Sequence, residues 1–155
     1  MAEEWRRGEF VVSTDPSLLD VPTIHRWLTE ESYWTRGVPL DVVRRGIEHS
    51  LNFGLYAEGG KRQAGLARII TDYATFAYVC DVFVLDEYRG RGLGVWLMEC
   101  VAAHPRLQGL RRWMLGTKDA HGLYEKTGFT PLSMPERWME KADADVYTRG
   151  ASGAG

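Results

Sequence analysis

Residues 81–94 read DVFVLDEYRGRGLG. The apolar run Val82–Leu85 gives way to a short acidic turn. Gly90, Gly92 and Gly94 then alternate with Arg91 and Leu93 before an apolar helical pattern begins. Glycine is unfavourable inside helices and strands, so glycines packed this closely mark backbone that something approaches. Two phosphate-binding templates fail here. No Lys-Ser or Lys-Thr follows the glycines, as a Walker A loop requires. A G-x-G-x-x-G fingerprint read from Gly90 ends on Val95, and read from Gly92 it ends on Leu97. What remains is a strand, a loop rich in backbone N–H groups and a helix start. First-turn donors and the helix dipole favour an anion at such a place, and Arg89 and Arg91 add charge-assisted donors. A solvated strand-to-helix turn is the other reading of the same residues.

Working outward, the periodicity predicts a strand over Glu9–Ser13. A helix follows from Val21 to about Glu31, with Asp20 as its N-cap and Pro22 in its first turn. Val21, Ile24 and Leu28 share a face of that helix. The stretch ESYWTRGV (31–38) reads as an aromatic loop, and Pro39 opens a second helix carrying Leu40, Val43 and Ile47 at helical spacing. From Phe53 the period drops to two. Strands are predicted over 53–57, 63–71 and 76–85, with Gly59-Gly60 as a hairpin turn between the first two. The apolar helix after the glycine loop runs from Leu93 to Ala103 and stops at Pro105. A strand over Trp113–Thr117, a short helix over Asp119–Lys126 and strand segments at Phe129–Leu132 and Arg137–Met139 complete the pattern. The order predicts an α/β (α+β) domain over 1–141 with a mixed, mostly antiparallel sheet, followed by a flexible tail over 142–155.

The chain has 155 residues, 45% of them hydrophobic and 12% aromatic, which suits one domain with a substantial core. A formal charge of −2 and scattered arginines make no case for a nucleic-acid partner. No run approaches the ~20 apolar residues of a membrane span. The opening MAEEWRRGEF carries no apolar segment of the secretory kind. Cys80 and Cys100 fall in apolar runs and outside any metal-ligand spacing, so buried free thiols are expected rather than a disulfide. These features together imply a cytoplasmic protein, monomer or homodimer, that binds no metal.

Residues 117–129 read TKDAHGLYEKTGF. With Arg89-x-x-Gly92-x-Gly94 before it, this segment resembles the GNAT superfamily of N-acetyltransferases. There an R/Q-x-x-G-x-G/A loop precedes an A-x-x-L-Y-x-x-x-G-F pattern, matched here by Ala120, Leu123, Tyr124, Gly128 and Phe129. Either motif alone is weak; their order and separation over roughly residues 53–132 carry the likeness.

The resemblance implies acetyl-coenzyme A as cosubstrate and an amine acceptor. The backbone of Val82, Phe83 and Val84 would line the pantetheine arm in a splayed sheet. Arg89, Gly90, Arg91, Gly92, Leu93 and Gly94 would hold the pyrophosphate. Tyr124 would give a proton to the departing thiolate, since a phenol near pKa ~10 is protonated at neutral pH while a thiol titrates near ~8.5. Relatives often carry asparagine seven residues before that tyrosine; Thr117 stands here, which weakens a contact to the pantetheine at that point. Where some relatives carry a catalytic glutamate this chain has Tyr78. Asp81 is therefore either the base or a buried acid that needs a partner. Asp119 and His121 either serve the site or are, respectively, a helix cap and a surface residue. Glu30, Glu31, Tyr33 and Trp34 would meet a cationic acceptor by charge and cation–π contact, or else form a solvated turn. A non-catalytic acyl-coenzyme A-binding module is the alternative to an enzyme.

Overall fold

The computed structural model describes residues 1–149. Six strands form one open sheet in the order β1-β2-β3-β4-β5-β6: Glu4–Arg7, Phe10–Ser13, Leu51–Ala57, Arg62–Thr71, Phe76–Val84 and Arg112–Leu115. The first five pair antiparallel, and β5 pairs β6 in parallel. A parallel pair needs a crossover, and α3 (Leu93–Ala103) supplies it. The mixed sheet agrees with the expected fold class.

Before the sheet's centre come α1 (Val21–Glu30) and α2 (Leu40–Glu48). Asp20 caps α1 by accepting from the Thr23 amide at 3.2 Å and from its hydroxyl at 2.7 Å. The Ile24 and Leu28 face of α1 joins Val38 and Val43 against Leu66 and Phe83 on one side of the sheet. On the other side, α3 buries Leu93, Leu97, Met98, Cys100 and Val101 against Phe53, Leu55, Ile69 and Val79. Glu99, Ala102 and Ala103 stay exposed, so α3 buries one broad face, and Glu99 alone interrupts its apolar reading.

Several expectations need correction. The strand β1 has no alternating apolar pattern to reveal it. It forms because Gly8, at φ 61°, turns Glu4–Arg7 back onto β2, and because Trp5 then packs on Phe53 at 6.0 Å between ring centroids. Leu40 is exposed, so α2 contributes less to the core than its spacing suggested. The segments Phe129–Leu132 and Arg137–Met139 are not strands. Pro131 and Pro135 each lack an N–H for a ladder, and Pro135–Arg137 forms a single 3-10 turn instead. Of the expected flexible tail, residues 150–155 lie outside the described residues. Within the described part, Tyr147 packs against the α1–α2 side of the core.

Both cysteines are free thiols, pushed up to about 12 first by burial. No helix among the described residues is long and apolar enough to cross a membrane.

Candidate active site

The site begins with an irregularity in β5. Leu66 pairs with Phe83 and Arg68 with Cys80, so Ala67 alone faces two residues, Asp81 and Val82. Asp81 takes φ 48°, a left-handed conformation that aspartate tolerates better than most L-residues. Gly65 allows the close approach of β4 here, since a side-chain carbon on it would collide with the Phe83 carbonyl.

The bulge points the Asp81 carboxylate inward, where it is 8% exposed. Arg68 Nε donates to its Oδ2 at 2.7 Å and Trp34 Nε1 to its Oδ1 at 2.8 Å. A second Arg68 nitrogen, Nη1, donates to Ser50 Oγ at 2.9 Å. Both carboxylate oxygens are thus engaged and the charge is neutralised within the fold. Of the two readings left open for Asp81, the structure supports the partnered buried acid. The same bonds anchor Trp34, and with it the loop after α1. Trp34 leans on Trp27 at 5.5 Å, and Trp27 stacks on Phe83 at 4.2 Å.

Parallel pairing between β5 and β6 runs only as far as Val79 and Leu115. Past that point the strands part, and two adjoining cavities occupy the wedge. The larger, about 620 Å³, runs along Val82, Phe83 and Val84 to the glycine loop and the start of α3. The smaller, about 350 Å³, sits at the apex between Tyr78–Val82 and Gly116–Ala120. Tyr33, Trp34, Val82, Asp119, Ala120 and Tyr124 line both. A separate cavity of about 460 Å³ lies beyond α3, around Gln108–Leu110 and Gly128–Thr130. Neither the glycine loop nor Tyr124 reaches it, so the wedge is the better candidate.

Gly90 and Gly92 have φ of 78° and 73°, which only glycine adopts without strain, and open space surrounds the position of a Cβ on each. Gly92 is the N-cap of α3, and no side chain caps that end. Its first-turn N–H groups are therefore available to an anion. At Gly94 a Cβ would come within 2.9 Å of Leu123 Cδ1, so this glycine serves the contact between α3 and α4 (His121–Glu125).

Tyr124, on α4, stands where the two cavities join. No group among the described residues hydrogen-bonds its hydroxyl. Its phenol is pushed up to about 12, first by burial and then by the nearby Tyr33. Tyr33 itself accepts from the Lys118 amide at 2.8 Å, which ties the loop after α1 to the segment after β6.

Most of the expected residues come together here. Val82–Val84, Arg89, Gly90, Gly92, Leu93, Gly94, Glu31, Tyr33, Trp34 and Tyr124 line the larger cavity. Asp81 and Thr117 line the smaller one. Arg89 donates from Nε to the Val84 carbonyl at 3.0 Å and pairs with Asp86 at 3.0 Å. Two expected residues are not brought in. The left-handed glycines on either side turn Arg91 outward, where it lies 5.9 Å over Phe10 and 6.0 Å over Tyr88. Glu30 ends α1 on its exposed face and borders neither cavity. His121 borders only a neighbouring cavity along β6.

Sequence reasoning missed Arg68 and the lining roles of Lys118 and Cys80. Tyr78 and Cys80 share an alternating face of β5 with Val82, a signal that could have found both. No cluster of three His, Cys, Asp or Glu able to hold a metal ion occurs among the described residues.

Comparison with known proteins finds relatives over most of the chain. Residues 21–129 match the acetyltransferase (GNAT) family profile. A provisionally assigned acetyltransferase of Gibberella zeae is 36% identical over 144 residues, covering 80% of each chain. A crystal structure of a GNAT-family protein from Xanthomonas campestris, also provisionally assigned, is 52% identical with a TM-score of 0.87. That match covers 92% of this chain and 99% of the other. A predicted acetyltransferase from Clostridium acetobutylicum, solved with acetyl-CoA, shares the fold at 17% identity and a TM-score of 0.59, over 92% of this chain and 96% of that one.

Proposed function

This chain belongs to the GNAT family of acetyltransferases, and on that footing we propose that it moves the acetyl group of acetyl-CoA onto a primary amine. The observation that carries the reading is Tyr124, whose unpartnered hydroxyl stands between a cavity ending at the glycine loop and a second one closed by aromatic residues. The residues present fit the coenzyme. The open space at Gly90 and Gly92 and the uncapped start of α3 suit a pyrophosphate. The unpaired edge of β5 past Val79 offers backbone groups to the pantetheine arm. Arg89 would exchange its bonds to Val84 and Asp86 for phosphate oxygens.

In the reaction, the amine loses a proton to solvent and attacks the thioester carbonyl carbon. A C–N bond forms, the C–S bond breaks, and the sulfur leaves with the electron pair. A backbone N–H of the β5 edge would steady the oxygen charge in the tetrahedral intermediate. The Tyr124 hydroxyl donates to the developing thiolate. Full transfer of a proton from a group near 12 to a thiolate near about 8.5 is uphill by on the order of 5 kcal/mol. Tyr124 therefore acts as a hydrogen-bond donor, and the proton released by the new amide nitrogen finally resides on the thiol.

Free-thiol release across a panel of amines tests the function directly. With Asp81 committed to Arg68 and Trp34, a binding module stays the competing reading. It predicts tight acetyl-CoA binding and no turnover with any amine.

The anion site has its own test. Gly92→Glu adds a negative charge and forces a side chain into the left-handed region at φ 73°. Acetyl-CoA binding, followed by calorimetry, is expected to weaken by about 10- to 100-fold. Gly92→Ala carries the backbone strain alone and should lose much less. Parent-like affinity in the folded Gly92→Glu protein would move the pyrophosphate elsewhere.

The pH profile follows from the same groups. Burial keeps the Tyr124 phenol protonated until about 12, so its ionisation lies above the working range. The attacking amine must be neutral, and amines of the α-amino kind titrate near about 8. Below the amine's own pKa, kcat/KM should rise about tenfold per pH unit, then level without a fall before about pH 10. A descending limb between about pH 8 and 9 would mean that Tyr124 ionises far lower than its surroundings indicate.

A further inference from the structure

Lys118 and Asp119 are neighbours in sequence with opposite charges, and neither side chain forms an ion pair with a described residue. Their positions differ in one respect. Asp119 borders both cavities of the wedge, beside Tyr124, whereas Lys118 borders only the apex cavity. The Lys118 ammonium lies 5.5 Å from the Tyr33 ring centre, and its amide is held to the Tyr33 hydroxyl. The cavity that both residues border also has an aromatic lining: Tyr33, Trp34 and Tyr78, each partly exposed. The remaining acid of the apex, Asp81, is spent on Arg68 and Trp34, so it offers no charge to a ligand.

Resting on the acetyl-transfer reading above, we infer that the acceptor is a zwitterion, a small amino acid with an apolar or aromatic side chain. Its ammonium is drawn to Asp119 at the thioester end, its carboxylate meets Lys118 at the apex end, and its side chain lies on the aromatic wall. A cavity of about 350 Å³ holds a molecule of that size and excludes a folded protein chain. The arrangement puts the nitrogen beside Tyr124, where the thioester must lie for its sulfur to receive the tyrosine's hydrogen bond. It also replaces the expected role of Glu30 and Glu31 in meeting the amine: Glu30 borders neither cavity and Glu31 only the larger one.

The test compares L-phenylalanine with 2-phenylethylamine, which differ only in the carboxylate, alongside the other common L-amino acids and acetyl-CoA. The parent is expected to favour the amino acid in kcat/KM. Lys118→Met keeps the stem against Tyr33 and removes the charge, so the preference for amino acid over decarboxylated amine should fall by up to about fivefold. Asp119→Asn should impair both substrates alike, because both carry the ammonium. A parent enzyme that prefers phenylethylamine overturns the inference. So does a Lys118→Met enzyme that loses both activities in equal proportion. If acetyl-CoA binds by calorimetry and simple amines turn over while no amino acid does, the zwitterion is wrong and acetyl transfer stands. Failure to bind acetyl-CoA at all removes the acetyl-transfer reading and the acceptor with it.

Discussion

Replacing Tyr124 by phenylalanine is expected to lower the maximal rate by about 10²- to 10³-fold, as for loss of one hydrogen-bond donor to a developing anion, while acetyl-CoA affinity stays within about threefold of the parent. The asymmetry follows from where the hydroxyl stands. It bonds to nothing among the described residues, and Tyr124 lines both cavities of the wedge. Its removal therefore breaks no bond in the resting protein, and the ring keeps its edge contact with Phe129 at 5.9 Å. Folding stability should stay within about 0.5 kcal/mol, since an unpartnered hydroxyl in a half-buried place contributes little. A donor that acts only as the sulfur leaves affects the transition state and not the bound ground state, so kcat and kcat/KM fall together. An unchanged rate at saturating substrates would reduce Tyr124 to a packing residue. A parallel loss of stability and coenzyme binding would do the same.

The second large effect is on stability. Asp81→Ala leaves the Arg68 guanidinium, 19% exposed, without its carboxylate, and removes the acceptor of the Trp34 indole. Breaking one side of a buried ion pair costs about 3–5 kcal/mol, against the ~0–1 kcal/mol of an exposed pair such as Arg45–Asp41. In a chain of this size the melting temperature should fall by on the order of 10 °C. Alanine also tolerates the φ of 48° at this position less well than aspartate does. Asp81→Asn separates the contributions. It keeps an oxygen for Trp34 and a side chain suited to the left-handed region, and loses only the charge. If Asp81 instead served mainly as a base, Asp81→Asn would abolish turnover and leave the urea midpoint unchanged, which would contradict the structural role.

How much of this could be read in advance depends on the range of the interactions concerned. The α1 cap at Asp20, the face of α1, the extent of α3 and the turn at Gly59-Gly60 are set within one or two turns of chain, and they lie where the residue pattern puts them. The glycine loop belongs with them, because only glycine adopts its backbone angles without strain. The motif around Tyr124 was legible for the same reason. Its short helix carries Leu123 against Gly94, and each side of that contact is spelled by small residue sets.

What the tertiary structure alone decided concerns partners far apart in the chain. The Arg68–Asp81 pair depends on the register between β4 and β5, and a shift of one residue would turn those side chains to opposite faces. Trp34 reaches Asp81 across 47 positions, and Tyr33 meets the Lys118 amide across 85. No local periodicity can encode such meetings, so Asp81 stayed open between base and buried partner. The segment beyond Phe129 shows the opposite limit. Its aromatic and branched residues suggested strands, but Pro131 and Pro135 have no N–H to give to a ladder, and no described strand pairs with this segment. The residue pattern pointed to the family, the glycine-rich loop and the tyrosine motif. Folding decided which acids remain free to meet a substrate, because the availability of a charge depends on what the fold has already paired with it.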